Sequence, residues 1–161
     1  MPRKSKNTPE SAARKRRSSG STQPTTSPSI PVVTCFVVRS DGKLLALRRS
    51  DRVGTYRGKW AGVSGYLERE SPRDQAWIEL REELGLDEGA LELEVEGEPL
   101  TISDQVEGKT WLVHPFRFRL TGDPVLRLDW EHLEMKWILP REIRSLATVP
   151  NLLETWNCVA R

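Results

Sequence analysis

One stretch of this chain has both of its ends fixed by its own residues: "PRDQAWIELREEL", Pro72 to Leu84. Ser71 is placed to cap it, Pro72 suits the first helical position, Asp74 gives a weak capping box, and Gly85 is a natural stop. Within it Ala76, Trp77, Leu80 and Leu84 recur at i, i+1, i+4 and i+8, an apolar stripe that must lie on something. The flanking sequence supplies strands for it to lie on. "VVTCFVVR" is β-branched and runs into Asp41-Gly42, a two-residue hairpin signal, after which "LLALRR" returns as the partner. A Gly-spaced, irregular loop follows, with a short strand near Gly62 to Ser64. "LELEVEGEPLTISD", "TWLVHPFRFRL" and "MKWIL" read as further strands, and "PREIRSL" and "VPNLLETWNCVA" as helical, each with a proline near its start. With no internal repeats and this mixed order, the sequence predicts an α/β sandwich rather than a strict doubly wound sheet.

The other faces of that helix carry an anomaly. Glu79, Glu82 and Glu83 fall at i, i+3 and i+4, and none has a Lys or Arg three or four residues away. Each like-charge pair at such spacing costs roughly 0.2–0.5 kcal/mol. Anions in the last turn oppose the helix dipole by about 0.3–1 kcal/mol each. A solvated acidic face is the commoner outcome for such a pattern. A hard divalent cation is the partner that would relieve it, because Mg²⁺ is usually held by a few carboxylates together with substrate phosphates.

Composition bounds the rest. The chain has 161 residues, enough for one domain with a substantial core. Residues 1–30 hold seven Lys/Arg against one acid, many Ser, Thr and Pro, and almost nothing apolar. That composition predicts a disordered basic tail ahead of a folded domain over 31–161. Taking the tail's +6 from the overall +2 leaves −4 on the domain, so the basic pI belongs to the tail. Arg14 to Arg17, "RKRR", is compatible with a solvated tail, a nuclear address, a transit segment or a nucleic-acid contact. The longest apolar run, "VVTCFVV", is far short of a membrane span, and Cys35 and Cys158 form neither a disulfide framework nor a metal-ligand spacing. The expectation is a soluble protein of a reducing, cytoplasmic compartment.

The stretch "SGYLERESPRDQAWIELREELGL", Ser64 to Leu86, resembles the signature of the Nudix hydrolase family. That signature is Gly, five residues, Glu, seven residues, then Arg-Glu-apolar-any-Glu-Glu-any-Gly-apolar. Glu70, the seven-residue gap, Glu79, Leu80, Glu82, Glu83, Gly85 and Leu86 match in register. "GKWAGVSG" before it and "EHLEMKW", Glu131 to Trp137, are also similar to that family, so the resemblance spans residues 31–160. Two departures stand out. Only four residues separate Gly65 from Glu70, so either the loop is one residue shorter or Ser64 takes the glycine's place. Ile78 stands where the signature has the Arg that ties the loop Glu to the helix, with Arg73 and Arg81 as the nearest stand-ins.

The resemblance implies an α/β/α sandwich with a mixed sheet, and a metal-dependent hydrolase cleaving a diphosphate bond in a nucleoside diphosphate derivative or nucleoside triphosphate by attack of water on phosphorus. Metal ions would neutralise the diphosphate and activate the water. It implies Mg²⁺ or Mn²⁺ on Glu79, Glu82 and Glu83, with the Ser64 carbonyl as a further ligand. Either one of those carboxylates or Glu131 would be the general base, and Glu70 would be structural or outer-sphere to the metal. Arg48, Arg49 and Lys59 are candidate cations for substrate phosphates. His114 reads as structural, and His132 stays open because it adjoins Glu131. Trp77, Trp111 and Trp137 fit apolar faces, whereas Trp60 and Trp130 are candidate stacking platforms. The implied partner is a small-molecule nucleotide, with no membrane and with nucleic acid only through the tail. Two rivals are a non-catalytic Nudix-fold regulatory module that binds a nucleotide, and a scaffold whose basic tail binds RNA.

Overall fold

A computed structural model describes residues 28–161, so the basic run and most of the expected tail lie outside the described residues. In chain order the elements are β1 (Ser29–Val38), β2 (Leu44–Arg49), β3 (Trp60–Ala61), β4 (Val63–Tyr66), α1 (Pro72–Leu84), β5 (Leu91–Glu96), β6 (Leu100–Asp104), β7 (Lys109–Leu120), β8 (His132–Ile138), a 3-10 turn (Pro140–Ser145) and α2 (Leu152–Asn157). Regular structure begins before the composition boundary at residue 31. Ser29 and Ile30 already pair with Thr110 and Trp111 of β7, because a long parallel partner extends the ladder past the composition boundary.

All eight strands join one mixed sheet. β1 and β7 run parallel at its centre, and every other pairing is antiparallel. The β1–β2 hairpin turns at Asp41-Gly42 as expected, with Gly42 at φ +86°, a value a glycine adopts without strain. The acidic segment "LELEVEGEPLTISD" divides at Gly97 into β5 and β6, both of which pair β7. Gly97 is tight there: an added Cβ would press on the Cys158 carbonyl and Val159.

Alternation along the strands sends apolar residues to both faces of the sheet, so each face needs a cover. Val33, Cys35 and Val37 of β1, with Leu45, Leu47, Phe116 and Phe118, form one core under α1. Phe36, Val38, Leu44, Ala46 and Ile138 form a second core under the 3-10 turn and α2, where Trp156 meets Phe36 edge-on at 5.2 Å. The result is the α/β/α sandwich. Helix α1 has the limits read from its caps: Ser71 Oγ accepts from the Asp74 N–H at 3.2 Å, and Gly85 closes the helix at φ +72°. Its Ala76, Leu80 and Leu84 are fully buried, which anchors the helix to the sheet and fixes where its other residues point.

Candidate active site

The acidic face of α1 borders a cavity of about 380 Å³, within the usual range for small-molecule sites. Glu79, Glu82 and Glu131 line it, and Glu83 lies beneath its surface with 1% of its area exposed. Glu131 arrives from the loop before β8, held where the Ser50 N–H donates to its carbonyl at 2.8 Å and its own N–H donates to Asp129 Oδ1 at 3.1 Å.

Burial and mutual repulsion act together on these acids. Glu83 is pushed well above the usual carboxylate range by burial, then by the charges of Glu131 and Glu79. Burial also raises Glu79, opposed by the amide of Gln75, and raises Glu131, reinforced by Asp129. His132 brings no reliable positive charge. Its Nε2 stands 3.5 Å from Glu83 Oε1 and its Nδ1 3.5 Å from Asp129, yet burial lowers its pKa and favours the neutral ring. Among the described residues Glu83 Oε2 and His132 Nδ1 are buried without a hydrogen-bond partner. An orphaned carboxylate oxygen in such a place is expensive unless something else occupies it.

Arg49 is the guanidinium of the cavity. Arg48 and Arg49 are successive residues of β2, so their side chains leave opposite faces of the strand. Arg48 turns outward to Glu134 at 3.0 Å, away from the cavity. Arg49 turns inward, where its Nε donates to the Thr55 carbonyl at 2.9 Å and Glu83 and Glu131 oppose the lowering of its pKa by burial. Lys59 is exposed and lines an adjoining groove instead. The structure thus brings Arg49 to the glutamates and leaves Arg48 and Lys59 elsewhere.

The loop from β4 to α1 is tied by a residue that the spacing did not single out. Gln75 Oε1 accepts from the N–H groups of Glu68 and Arg69 at 2.9 and 3.1 Å, and its Nε2 donates to Glu79 Oε2 at 2.8 Å. One buried amide therefore pins the loop and orients a carboxylate. Glu70 is exposed and Arg73 pairs with Glu96 at 2.7 Å, so neither ties the loop. Gly65 fits against Glu79 so closely that an added Cβ would overlap the carboxyl group. A side chain at Gly65 would displace that carboxylate from its present place. Ser64 lines the cavity, as does Trp130, half-exposed with Arg52 5.8 Å from its ring. Trp60 lies under Lys136 at 4.8 Å, outside the cavity, and Trp77 is packed edge-on against Phe118 at 4.8 Å. His114, on β7, is partly buried and its pKa is lowered by burial.

The model of the NUDIX domain family matches residues 28–155, most of the chain and all of the elements that build this cavity. The chain belongs to the Nudix family. Solved structures similar to it include a MutT protein from Methanosarcina mazei Go1, with TM-score 0.67 and 22% identity over 81% of this chain and 91% of that one. A C. elegans Ap4A hydrolase gives TM-score 0.67 and 18% identity over 81% and 95%. The NUDIX domain of Shewanella oneidensis NrtR, complexed with ADP ribose, gives 0.64 and 12% over 84% and 88%. At these identities the likeness establishes the shared fold. No curated protein matches by sequence.

The donor set suits a hard cation. Glu79, Glu82 and Glu83 offer carboxylate oxygens, and one of those oxygens is buried without a partner. Arg49 hydrogen-bonds Thr55 and offsets the acids only in part, opposing the rise of Glu131. Among the described residues no three His, Cys, Asp or Glu side chains already surround one point as ligands. Among the described residues no helix is long and apolar enough to cross a membrane.

Proposed function

We propose that this Nudix protein is a divalent-metal-dependent pyrophosphohydrolase acting on a nucleoside diphosphate derivative or nucleoside triphosphate. The observation that carries the reading is the set of desolvated glutamates raised by burial, Glu79 and Glu131 lining a cavity with one inward guanidinium and Glu83 buried beneath it. Mg²⁺ or Mn²⁺ held by Glu79, Glu82 and Glu83 would supply charge neutralisation and acidify a bound water. Gln75 keeps Glu79 aimed into the cavity, and Gly65 leaves room for it. Arg49 is positioned to bind a phosphate oxygen. Glu131, carried on a separate loop and raised toward neutrality, is suited to accept the proton of the attacking water. The similar structures include an Ap4A hydrolase and a NUDIX domain complexed with ADP ribose; both compounds carry a phosphoanhydride chain on adenosine, in keeping with this class.

The regulatory-module reading rests on two departures from the signature, Ile78 in place of the Arg that ties the loop Glu to the helix and the short Gly65–Glu70 spacing. Gln75 anchors the loop through the N–H groups of Glu68 and Arg69, which weakens the first of these. The deciding experiment is release of nucleotide or phosphate by the purified protein in millimolar Mg²⁺ or Mn²⁺, across nucleoside triphosphates and nucleoside diphosphate derivatives, with Glu83→Gln beside the wild type. Turnover abolished by EDTA and by the substitution supports the hydrolase. Tight binding of one compound with no turnover of any would establish the module instead.

A further inference from the structure

The sheet extends one strand beyond the layers that cover it. Among the described residues β8 pairs β2 and no other strand, so it forms an edge. Its partner is covered, with Leu44 to Leu47 all buried, whereas Leu133, Glu134, Met135 and Lys136 of β8 are exposed one after another. Among the described residues no backbone hydrogen bond reaches the open edge between Leu133 and Trp137. An edge strand with free N–H and C=O groups is a template for another strand.

The side chains of this edge alternate in character. Leu133 and Met135 keep 52% and 37% of their area exposed, and Trp137, two positions on, is half-buried. Met135 and Trp137 stand opposite Leu47 and Leu45 of β2, so they carry the apolar row of the α1 face out past its cover. Glu134 and Lys136 take the other face, Glu134 beside Arg48 at 3.0 Å and Lys136 against Trp60. One face of the strand is thus apolar, and the other holds one charge of each sign.

That pattern is self-complementary in one register. Two copies of β8 related by a two-fold axis perpendicular to the sheet pair antiparallel, and only residues of the same face meet, so the axis passes through a residue. Centred on Met135, the pairing sets each Glu134 opposite the partner's Lys136, joins the two Met135 side chains, and brings Leu133 toward the partner's Trp137. Centred on Glu134 or on Lys136, it would set that charge against its own copy, and like charges directly opposite destabilise a sheet. The two charges therefore admit the Met135-centred pairing and reject its neighbours.

We infer that β8 is the interface of a two-fold homodimer, in which a second copy of this chain joins its sheet to the first, edge to edge, in the register centred on Met135. The contact is one short strand on each side, so association is concentration-dependent rather than obligate. None of Leu133 to Trp137 lines the cavity, so the site stays open in the dimer and the inference does not depend on what the protein hydrolyses.

Sedimentation velocity of the full chain over about 1 to 500 μM tests this. The weight-average mass should rise from 18.4 kDa toward twice that value. Lys136→Glu, which leaves the Arg48–Glu134 pair in place, and Glu134→Lys should each raise the dimer dissociation constant about tenfold or more. Glu134→Lys combined with Lys136→Glu should recover most of that loss, because the cross-strand pairs are restored with their signs exchanged. Met135→Lys should leave a monomer, since it sets two cations together on the axis. All three positions are exposed, and the melting temperature of dilute samples checks that each variant keeps the fold. If Met135→Lys unfolds, the charge reversals decide. A monomer throughout the range overturns the inference. So does a dimer indifferent to these substitutions, or a loss in the single reversals that the double variant fails to repair.

Discussion

Two acidic regions of this molecule lie on either side of the sheet's middle and are treated in opposite ways. Glu94, on β5, is partly buried and meets two arginines of β7: Arg117 Nε at 3.0 Å, and Arg119. Arg117 also donates to the Val159 carbonyl at 2.6 Å, which ties the sheet to the end of the chain. Glu83, on α1, is more deeply buried and meets other acids, a neutral imidazole and no hydrogen bond at Oε2. The chain has basic residues available to balance an acid and does so at Glu94. Leaving Glu83 unbalanced reduces the stability of the free protein, and such local conflicts concentrate at functional sites.

The contrast gives its largest expected effect at α1. Glu83→Gln should lower kcat by at least about 10²-fold, while the metal-free variant is equal in stability to the wild type or higher by about 0.5–2 kcal/mol. Steady-state assay and chemical denaturation in EDTA read the two halves. A variant both inactive and markedly unstable would make Glu83 a structural acid like Glu94. Next comes Gln75→Leu, which frees the loop N–H groups and the Glu79 carboxylate while leaving every acid in place. Activity should fall about 10- to 100-fold, by analogy with groups that orient metal ligands, accompanied by a stability loss of about 1–3 kcal/mol. Unchanged activity would mean that Glu79 needs no orienting.

The pH dependence sharpens the comparison further. Glu83 has a folded pKa above its unfolded value, so its protonated form stabilises the fold at low pH. That contribution is complete below about pH 4.5 and is lost as pH rises through the elevated folded value. In EDTA the melting temperature of the wild type should therefore decline on going up from pH 5 more steeply than that of Glu83→Gln. Parallel curves would remove Glu83 as the source. The smallest effect belongs to the balanced acid. Glu94→Gln leaves two arginines short of a partner and should cost about 1–3 kcal/mol, with kcat/KM unchanged. Lost activity there would mean the two regions are coupled.

What was legible in the sequence was mostly local. The span of α1, its caps and its buried stripe follow from contacts within a few residues, and so does the anomaly of three neighbouring glutamates. Gln75 sits one turn before Glu79, so its reach was visible, but an amide carries no charge signal and its other partners, Glu68 and Arg69, lie in a loop. Arg49 could not be told from Arg48, because strand alternation sends the two to opposite faces but only the fold decides which face borders the cavity. Asp129 joins the acidic group through the loop that also brings Glu131, a fold-dependent meeting. The aromatic contacts of Trp111 were least legible. Trp111 reads as core, and it is 92% covered, but its neighbours Tyr56 and Tyr66 reach it through strand pairings and a loop far away in sequence.

The central claim is that the unbalanced glutamates form a divalent-cation site, and thermal unfolding across a Mg²⁺ and Mn²⁺ titration at constant pH and ionic strength tests it most directly. The wild type should gain stability with rising cation, by about 2.7 kcal/mol once the concentration reaches a hundred times the dissociation constant, and Glu83→Gln should show little of that gain. No stabilisation of the wild type, or equal stabilisation of both proteins, would contradict the claim.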